Sequence, residues 1–284
     1  MSAQARILIT GASTGIGEAL AREAINRNYA VYGTVRKEAD AERLSKEFGD
    51  SFKALIFDVT DHNAIEEAAK QLEEKLGERG LDILVNNAGI AVGGPLQHIP
   101  MDEIRYQFEV NVFGAIKMMQ SFAPLLGARE NHGNKPGKII NVSSVAGQVC
   151  APFLAPYVGS KHALEGISNS FRRELMVWGI DVIVVGPGAV KTPIWDKAEE
   201  LDPYANTAYS KAFAAFRKIF TDTGEGGEPA SDLARKMMDA VESGKPKTRY
   251  AFVKEKFRNY TLPRLLPPRL LDKGLARSMG LPKK

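Results

Sequence analysis

Short β-branched apolar runs alternate along this chain with longer segments of helical period. Ala5–Thr10, Tyr29–Val35, Phe52–Phe57, Leu81–Val85, Gly137–Val142, Ile180–Val185 and Thr248–Val253 read as strands. Runs this apolar predict strands buried on both faces. Between them lie Glu18–Ile25, a segment capped by Asp61 that runs to Leu76, Met101–Leu126, Tyr157–Trp178 and a stretch beginning near Ser231, all read as helices. The alternation predicts an α/β fold, a doubly wound parallel sheet of about seven strands with helices on both faces. Ligands in such sheets bind beyond the carboxyl ends of the strands, and the chemically suggestive residues fall at those ends.

The first strand runs into Gly11-Ala12-Ser13-Thr14-Gly15-Ile16-Gly17 and then into a helix. In that setting a glycine turn lets backbone N–H groups approach a phosphate at a helix N-terminus, although a tight turn alone would also use glycine. After the second strand, an acid would hold a ribose hydroxyl and an arginine would accept a 2′-phosphate. The chain has Arg36 and Lys37 there, with no acid before Glu38, so NADP(H) is favoured over NAD(H). Tyr157 and Lys161 stand four apart, one turn along a helix face. An ammonium beside a phenol favours the phenolate, so Lys161 is expected to lower the Tyr157 pKa and fit it for proton transfer. Ser144, in the loop before Pro156, can fold back over Tyr157.

With 284 residues, 44% hydrophobic and 25% charged, the chain has the composition of an ordinary globular protein. No apolar run reaches bilayer length and no secretory signal opens the chain, so a cytoplasmic location is expected. One cysteine, Cys150, rules out an internal disulfide framework and reads as a packing residue. His62, His98, His132 and His162 have no ligand spacing, so no metal is expected. The formal charge of +4 is uneven: Lys245 to Lys284 carries net +10 and the rest net −6. The basic residues lie on no recognisable nucleic-acid module, so no nucleic-acid partner is expected.

Taken together, Thr10-Gly11, Gly15-Ile16-Gly17, Asp58-Val59, Asn86-Asn87-Ala88-Gly89, Asn111, Ser144, Tyr157, Lys161 and Pro187-Gly188 with Thr192 resemble the short-chain dehydrogenase/reductase family in order and spacing. The resemblance covers about Arg6 to Val253, and the loops Gly93–Leu96 and Thr34–Arg36 look similar to the steroid- and retinol-dehydrogenase-like members. It implies a Rossmann-type domain and a small-molecule alcohol or carbonyl substrate. It implies Tyr157 as general acid and base and Ser144 as a donor to the substrate oxygen. Lys161 would hold the nicotinamide ribose, and Asn111 would anchor a water in the proton path. Asp58 and Val59 would sit at the adenine, and Ser13, Thr14 and Ile16 with the glycines along the phosphates. Asn87, Ala88, Gly89, Pro187, Gly188, Val190 and Thr192 would line the rest of the cofactor. Such proteins commonly form homodimers or homotetramers through two long helices, here near Met101–Leu126 and Tyr157–Trp178. A non-catalytic dinucleotide sensor or scaffold on the same fold is the alternative; Asn111, Ser144, Tyr157 and Lys161, all present, weigh against it. Epimerisation or dehydration is a third option.

One domain is expected over 1–253, with a substrate lid at about 193–223 and a basic extension over 254–284. Gln148 and Trp195 are the further substrate contacts expected. Phe213, Phe216 and Phe220 share a helix face, as core packing or as the roof of an apolar pocket for a lipophilic alcohol or ketone. Gly224–Pro229 reads as a hinge-like loop. In the extension, Arg269, Lys273 and Arg277 repeat every four residues beside Leu271, Leu275 and Met279. Such a helix can lie on an anionic membrane, but folding over the pocket entrance or onto a second subunit is favoured.

Overall fold

The computed structural model describes residues 4–130, 132–194 and 203–281. Strands β1 (Arg6–Ile9), β2 (Ala30–Val35), β3 (Phe52–Ile56), β4 (Ile83–Asn86), β5 (Lys138–Val142), β6 (Asp181–Pro187) and β9 (Arg249–Phe252) form one sheet in the order β3-β2-β1-β4-β5-β6-β9. Every pairing in it is parallel. The reversal of strand order beside β1 opens a crevice at the carboxyl ends of β1 and β4, the place where doubly wound sheets bind ligands.

Alternation along β1 builds the two faces. Ile7 and Ile9 pack with Leu20, Ala21 and Ala24 of α1 (Gly15–Asn26) and with Leu233 and Met237 of α8 (Ala230–Glu242). Leu8 points the other way, into a core with Ile65 and Leu72 of α3 (His62–Leu76) and Met118 and Phe122 of α5 (Gly114–Phe122). Ile7, Leu8 and Ile9 are all fully buried, which is why the run lacks a polar face. Asp61 caps α3, accepting from the Ala64 N–H at 3.0 Å.

The helical stretch from Met101 departs from one regular helix. It comprises α4 (Met101–Phe108), a π turn at Glu109–Phe113 and then α5. The Asn111 side chain within that turn accepts from the Ile90 N–H at 2.9 Å and donates to the Ile90 carbonyl at 3.0 Å. A π turn spent on a side-chain contact of this kind marks a functional position more often than a defect. Helix α6 (Ala155–Glu174) starts two residues before Tyr157, with Pro156 in its first turn where a missing N–H costs nothing.

The hinge-like loop expected at Gly224–Pro229 is more ordered than the glycines implied. Helix α7 (Ser210–Glu225) runs into it, and β8 (Glu228–Pro229) pairs with β7 (Val190–Lys191). The Lys236 ammonium pairs with the buried Glu228 carboxylate and fixes the crossing. Helix α2 (Glu38–Phe48) was not foreseen; it buries only Ala41 and Leu44 and carries little apolar signal.

The extension folds back on the body. After a π turn at Phe257–Thr261 and a short α9 (Leu262–Leu265), α10 (Pro268–Met279) lies against α7. Met279 is buried in a cluster with Phe153, Tyr204, Phe213 and Phe216, and Leu275 packs at its margin. No helix among the described residues is long and apolar enough to cross a membrane.

Candidate active site

Two adjoining hollows occupy the carboxyl edge of the sheet. The first, of about 320 Å³, is a cleft lined by Gly11, Ser13, Thr14, Gly15 and Ile16 of the glycine turn and by Arg36 after β2. Asp58 and Val59 after β3, Asn87, Ala88 and Gly89 after β4, and Thr192 after β7 complete its wall. Gly11 and Gly15 hold φ of +65° and +59°, the left-handed region that glycine enters without strain. A Cβ on Gly17 would collide with the Gly11 carbonyl, so the first turn of α1 can sit hard against the loop. The turn is laced to β4: the Thr10 hydroxyl accepts from the Asn87 and Ala88 N–H groups at 2.9 Å, and the Asn87 amide donates to the Thr10 carbonyl at 2.9 Å. The result is a curved backbone at a helix N-terminus with no side chain in the way, and the residues fit a dinucleotide pyrophosphate. At the rim, the Arg36 guanidinium is exposed and lies 3.7 Å from the Asp58 carboxylate.

The second hollow, of about 340 Å³, opens from the first and shares Ile16, Asn87, Gly89, Thr192 and Ile194 with it. Ser144, Tyr157 and Lys161 form its polar end, with Pro187, Gly188 and Val190 beside them. Val145, Val149, Leu154, Phe216, Phe220 and Met279 make the rest apolar. The aromatic stripe of α7 is divided between the core and the hollow. Phe213 packs against Phe153 at 5.5 Å between ring centres, and Phe216 and Phe220 face the hollow.

Ser144 caps a short turn, its Oγ accepting from the Ala146 N–H at 3.1 Å, and it lines the hollow together with Tyr157. Lys161 is buried and donates to the Val142 carbonyl at 2.9 Å; its ammonium lies 5.8 Å from the centre of the Tyr157 ring. Burial holds the Tyr157 pKa above its ordinary value, and the Ser144 hydrogen bond opposes this. Burial lowers the Lys161 pKa to about 8, and the Glu165 carboxylate opposes that. The tyrosine shift runs against the expectation that Lys161 would lower it. Desolvation of the phenolate is the larger cause, and the Ser144 hydroxyl only partly offsets it.

Asn111 lines neither hollow. It is buried behind Gly89, where a Cβ would lie 3.3 Å from its Oδ1 and 3.6 Å from Lys161 Nζ, and it donates to the Ser160 hydroxyl at 3.1 Å. Gln148, expected at the substrate, does not line the apolar hollow. Its amide donates to Glu165 at 2.9 Å and accepts from the Tyr260 hydroxyl at 2.6 Å, which turns it into the wall. Trp195 lies outside the described residues.

Sequence reasoning named Thr10 within the glycine motif but gave no role to its hydroxyl, which ties β1 to β4, and it passed over Gln107, fully buried and bonded to both Ile90 and Val92. It also passed over Glu165 and Arg249, an ion pair behind the Ser144 loop whose carboxylate is buried and whose guanidinium is partly so. A glutamate four residues past Lys161 on a helix, otherwise surrounded by apolar neighbours, was the available sign for that pair.

The chain is similar to known proteins over most of its length. The family model described as short chain dehydrogenase matches residues 5–202. The NADPH-dependent 3-dehydrocapnine reductase of Ornithobacterium rhinotracheale is 40% identical over 94% of each chain. Estradiol 17-beta-dehydrogenase 2 of Mus musculus is 32% identical over 87% of this chain and 68% of its own. A short-chain dehydrogenase from Streptomyces avermitilis superposes with a TM-score of 0.77 at 26% identity, covering 98% of this chain and 95% of its own. The chain belongs to the short-chain dehydrogenase/reductase family, among its steroid- and retinol-dehydrogenase-like members. It is an oxidoreductase of alcohols and carbonyl compounds that works with a nicotinamide dinucleotide.

Proposed function

We propose that this enzyme is NADP(H)-dependent and interconverts a lipophilic ketone or aldehyde with its alcohol, with Tyr157 as general acid and base. The observation that carries the reading is the meeting of Ser144, Tyr157 and Lys161 at the polar end of an otherwise apolar hollow that continues into the dinucleotide cleft.

The backbone of Gly11–Gly17 would hold the pyrophosphate, Asp58 and Val59 the adenine, and Lys161 the nicotinamide ribose. Asn87, Gly89, Pro187, Gly188, Val190 and Thr192 would line the nicotinamide half. When bound, the cofactor supplies a hydride to the carbonyl carbon. The Ser144 and Tyr157 hydroxyls would hold the substrate oxygen, where negative charge develops. Tyr157 would then transfer its proton: the phenolic O–H bond breaks as the alcohol O–H bond forms. A pKa held high by burial keeps Tyr157 protonated at neutral pH, the state needed for reduction. Lys161 would stabilise the resulting phenolate. Asn111, at the π turn, would anchor a water through which protons are resupplied. In oxidation the same groups run in reverse.

Arg36 supports NADP(H), since it lines the cleft with its guanidinium exposed and no acid precedes it after β2. The NADPH dependence in the name of the Ornithobacterium relative points the same way. The apolar lining favours a lipophilic substrate. Exposed Met101, Tyr106 and Phe113 on the α4–α5 stretch fit a subunit contact, so a homodimer or homotetramer is part of the proposal. Fluorescence titration with NADPH and NADH, followed by turnover assays on lipophilic ketones, tests the reading. Tighter binding of NADH, or turnover undiminished in Tyr157→Phe, overturns it.

A further inference from the structure

Behind the Ser144 loop lies an ion pair between buried Glu165 and partly buried Arg249 that lines neither hollow. Arg249 of β9 donates through Nε to Glu165 Oε2 and through Nη2 to Glu165 Oε1, both at 2.9 Å, in the bidentate geometry that suits guanidinium and carboxylate. The remaining capacity of both groups goes to the loop and to the extension. Ser143 Oγ donates to Glu165 Oε1 at 2.8 Å, and Gln148 Nε2 donates to Glu165 Oε2 at 2.9 Å. Arg249 Nη2 also reaches the Ser144 carbonyl at 3.3 Å. Arg249 Nη1 donates to the Tyr260 hydroxyl at 2.7 Å, and that hydroxyl donates to Gln148 Oε1 at 2.6 Å. The sequence leaves room for the pair at both ends. A Cβ on Gly147 would run into the Glu165 carboxylate, and one on Gly186 would run into the Arg249 guanidinium.

We propose that Glu165, Arg249 and Tyr260 are positioning residues. They fix the backbone from which Ser144 presents its hydroxyl, and they make the C-terminal extension a working part of the catalytic site. The proposal rests on the reading that Ser144 and Tyr157 act together on a carbonyl oxygen. The loop is tied to the sheet at Ser143, whose N–H donates to Val185 at 2.7 Å. Past that point the loop packs on α6, and its hydrogen bonds at Ser143, Ser144 and Gln148 reach the Glu165–Arg249–Tyr260 network. A catalytic hydroxyl must be held to within about 0.5 Å of its productive position, which a loop meets only when surrounding groups lock it. Tyr260 is the informative handle. Its hydroxyl is the one member supplied by the extension, and removing it strands no charge.

The test compares full-length wild type with Tyr260→Phe, and with Gly147→Ala as a second perturbation that deletes no network member. Two readouts are taken: amide hydrogen exchange of the 143–150 segment, and steady-state reduction of 2-acetylnaphthalene by NADPH. In Tyr260→Phe, exchange in 143–150 should quicken about 5-fold or more while β1 and α1 stay unchanged. The kcat should fall about 5- to 20-fold, with KM and the NADPH Kd each within about 2-fold of wild type. Unchanged exchange in 143–150 overturns the proposal, and so does a rise in KM or Kd with kcat intact. If wild type turns over no carbonyl substrate, the oxidoreductase reading fails on its own account, while the exchange readout still decides whether Tyr260 holds the loop.

Discussion

The Lys161 ammonium lies over the Tyr157 ring, 5.8 Å from its centre, and is tied to the Val142 carbonyl at 2.9 Å. A charge so placed burdens the cofactor-free fold. The lysine pKa, about 8 against an ordinary value of 10.5, means that the folded protein resists protonating it. The penalty is fully present below pH 8 and is relieved as pH rises from about 8 towards 10.5. Its full size is about 3 kcal/mol, before the hydrogen bond to Val142 is set against it.

Replacing Lys161 by methionine should therefore stabilise the cofactor-free protein by about 1–2 kcal/mol at pH 7, with the gain shrinking towards pH 10. Urea unfolding at the two pH values checks this. The same variant should lose turnover, so stability and activity move in opposite directions.

Tyr157→Phe keeps the ring and removes the transferable proton. Its kcat should drop about 10³-fold, within the range of general acid catalysis, while NADPH still binds with near wild-type affinity. Fluorescence titration alongside single-turnover reduction separates the two effects.

Arg36→Glu places an acid beside Asp58, 3.7 Å from the present guanidinium position. NADPH affinity should weaken about 10- to 100-fold and NADH affinity should hold or improve. If the ratio of the two dissociation constants does not move, Arg36 takes no part in choosing the cofactor.

Met279→Ala removes a buried side chain shared by the roof of the apolar hollow and the Phe213–Phe216 cluster. It should cost about 1–3 kcal/mol of stability and raise KM for bulky apolar ketones more than for small ones. A KM series against ketone size, with thermal unfolding in parallel, measures both.

The strands could be read from the sequence because a parallel sheet buries both faces, leaving runs such as Arg6–Ile9 with no polar alternation to confuse. The glycine turn and the Tyr157–Lys161 spacing were readable for a similar reason: each is local, and chain geometry alone puts its members together. What stayed hidden depends on distant parts of the chain. Glu165 and Arg249 stand 84 residues apart, and no short-range pattern announces that they meet. Gln148 looked like a substrate contact from its place in the loop, yet its amide serves Glu165 and Tyr260. The raised tyrosine pKa was hidden too, because spacing reports the neighbour and says nothing of how much water surrounds it. Helix α2 and the β7–β8 pairing carry too little apolar signal to declare themselves.

The sheet ends at β9, which is also the last strand in the chain, and α10 follows it. During synthesis the glycine turn, β4, β5 and β6 emerge in order, and the dinucleotide cleft has its residues in place by Ile194. Arg249, Tyr260 and Met279 come afterwards. A ribosome-bound chain thus completes the nucleotide cleft before Phe216 and Phe220 of α7, and last of all Met279, are there to line the apolar hollow beside Val145, Val149 and Leu154. Chains that terminate early keep a nearly finished nucleotide half beside an open greasy cleft, the form most prone to aggregate and to engage chaperones.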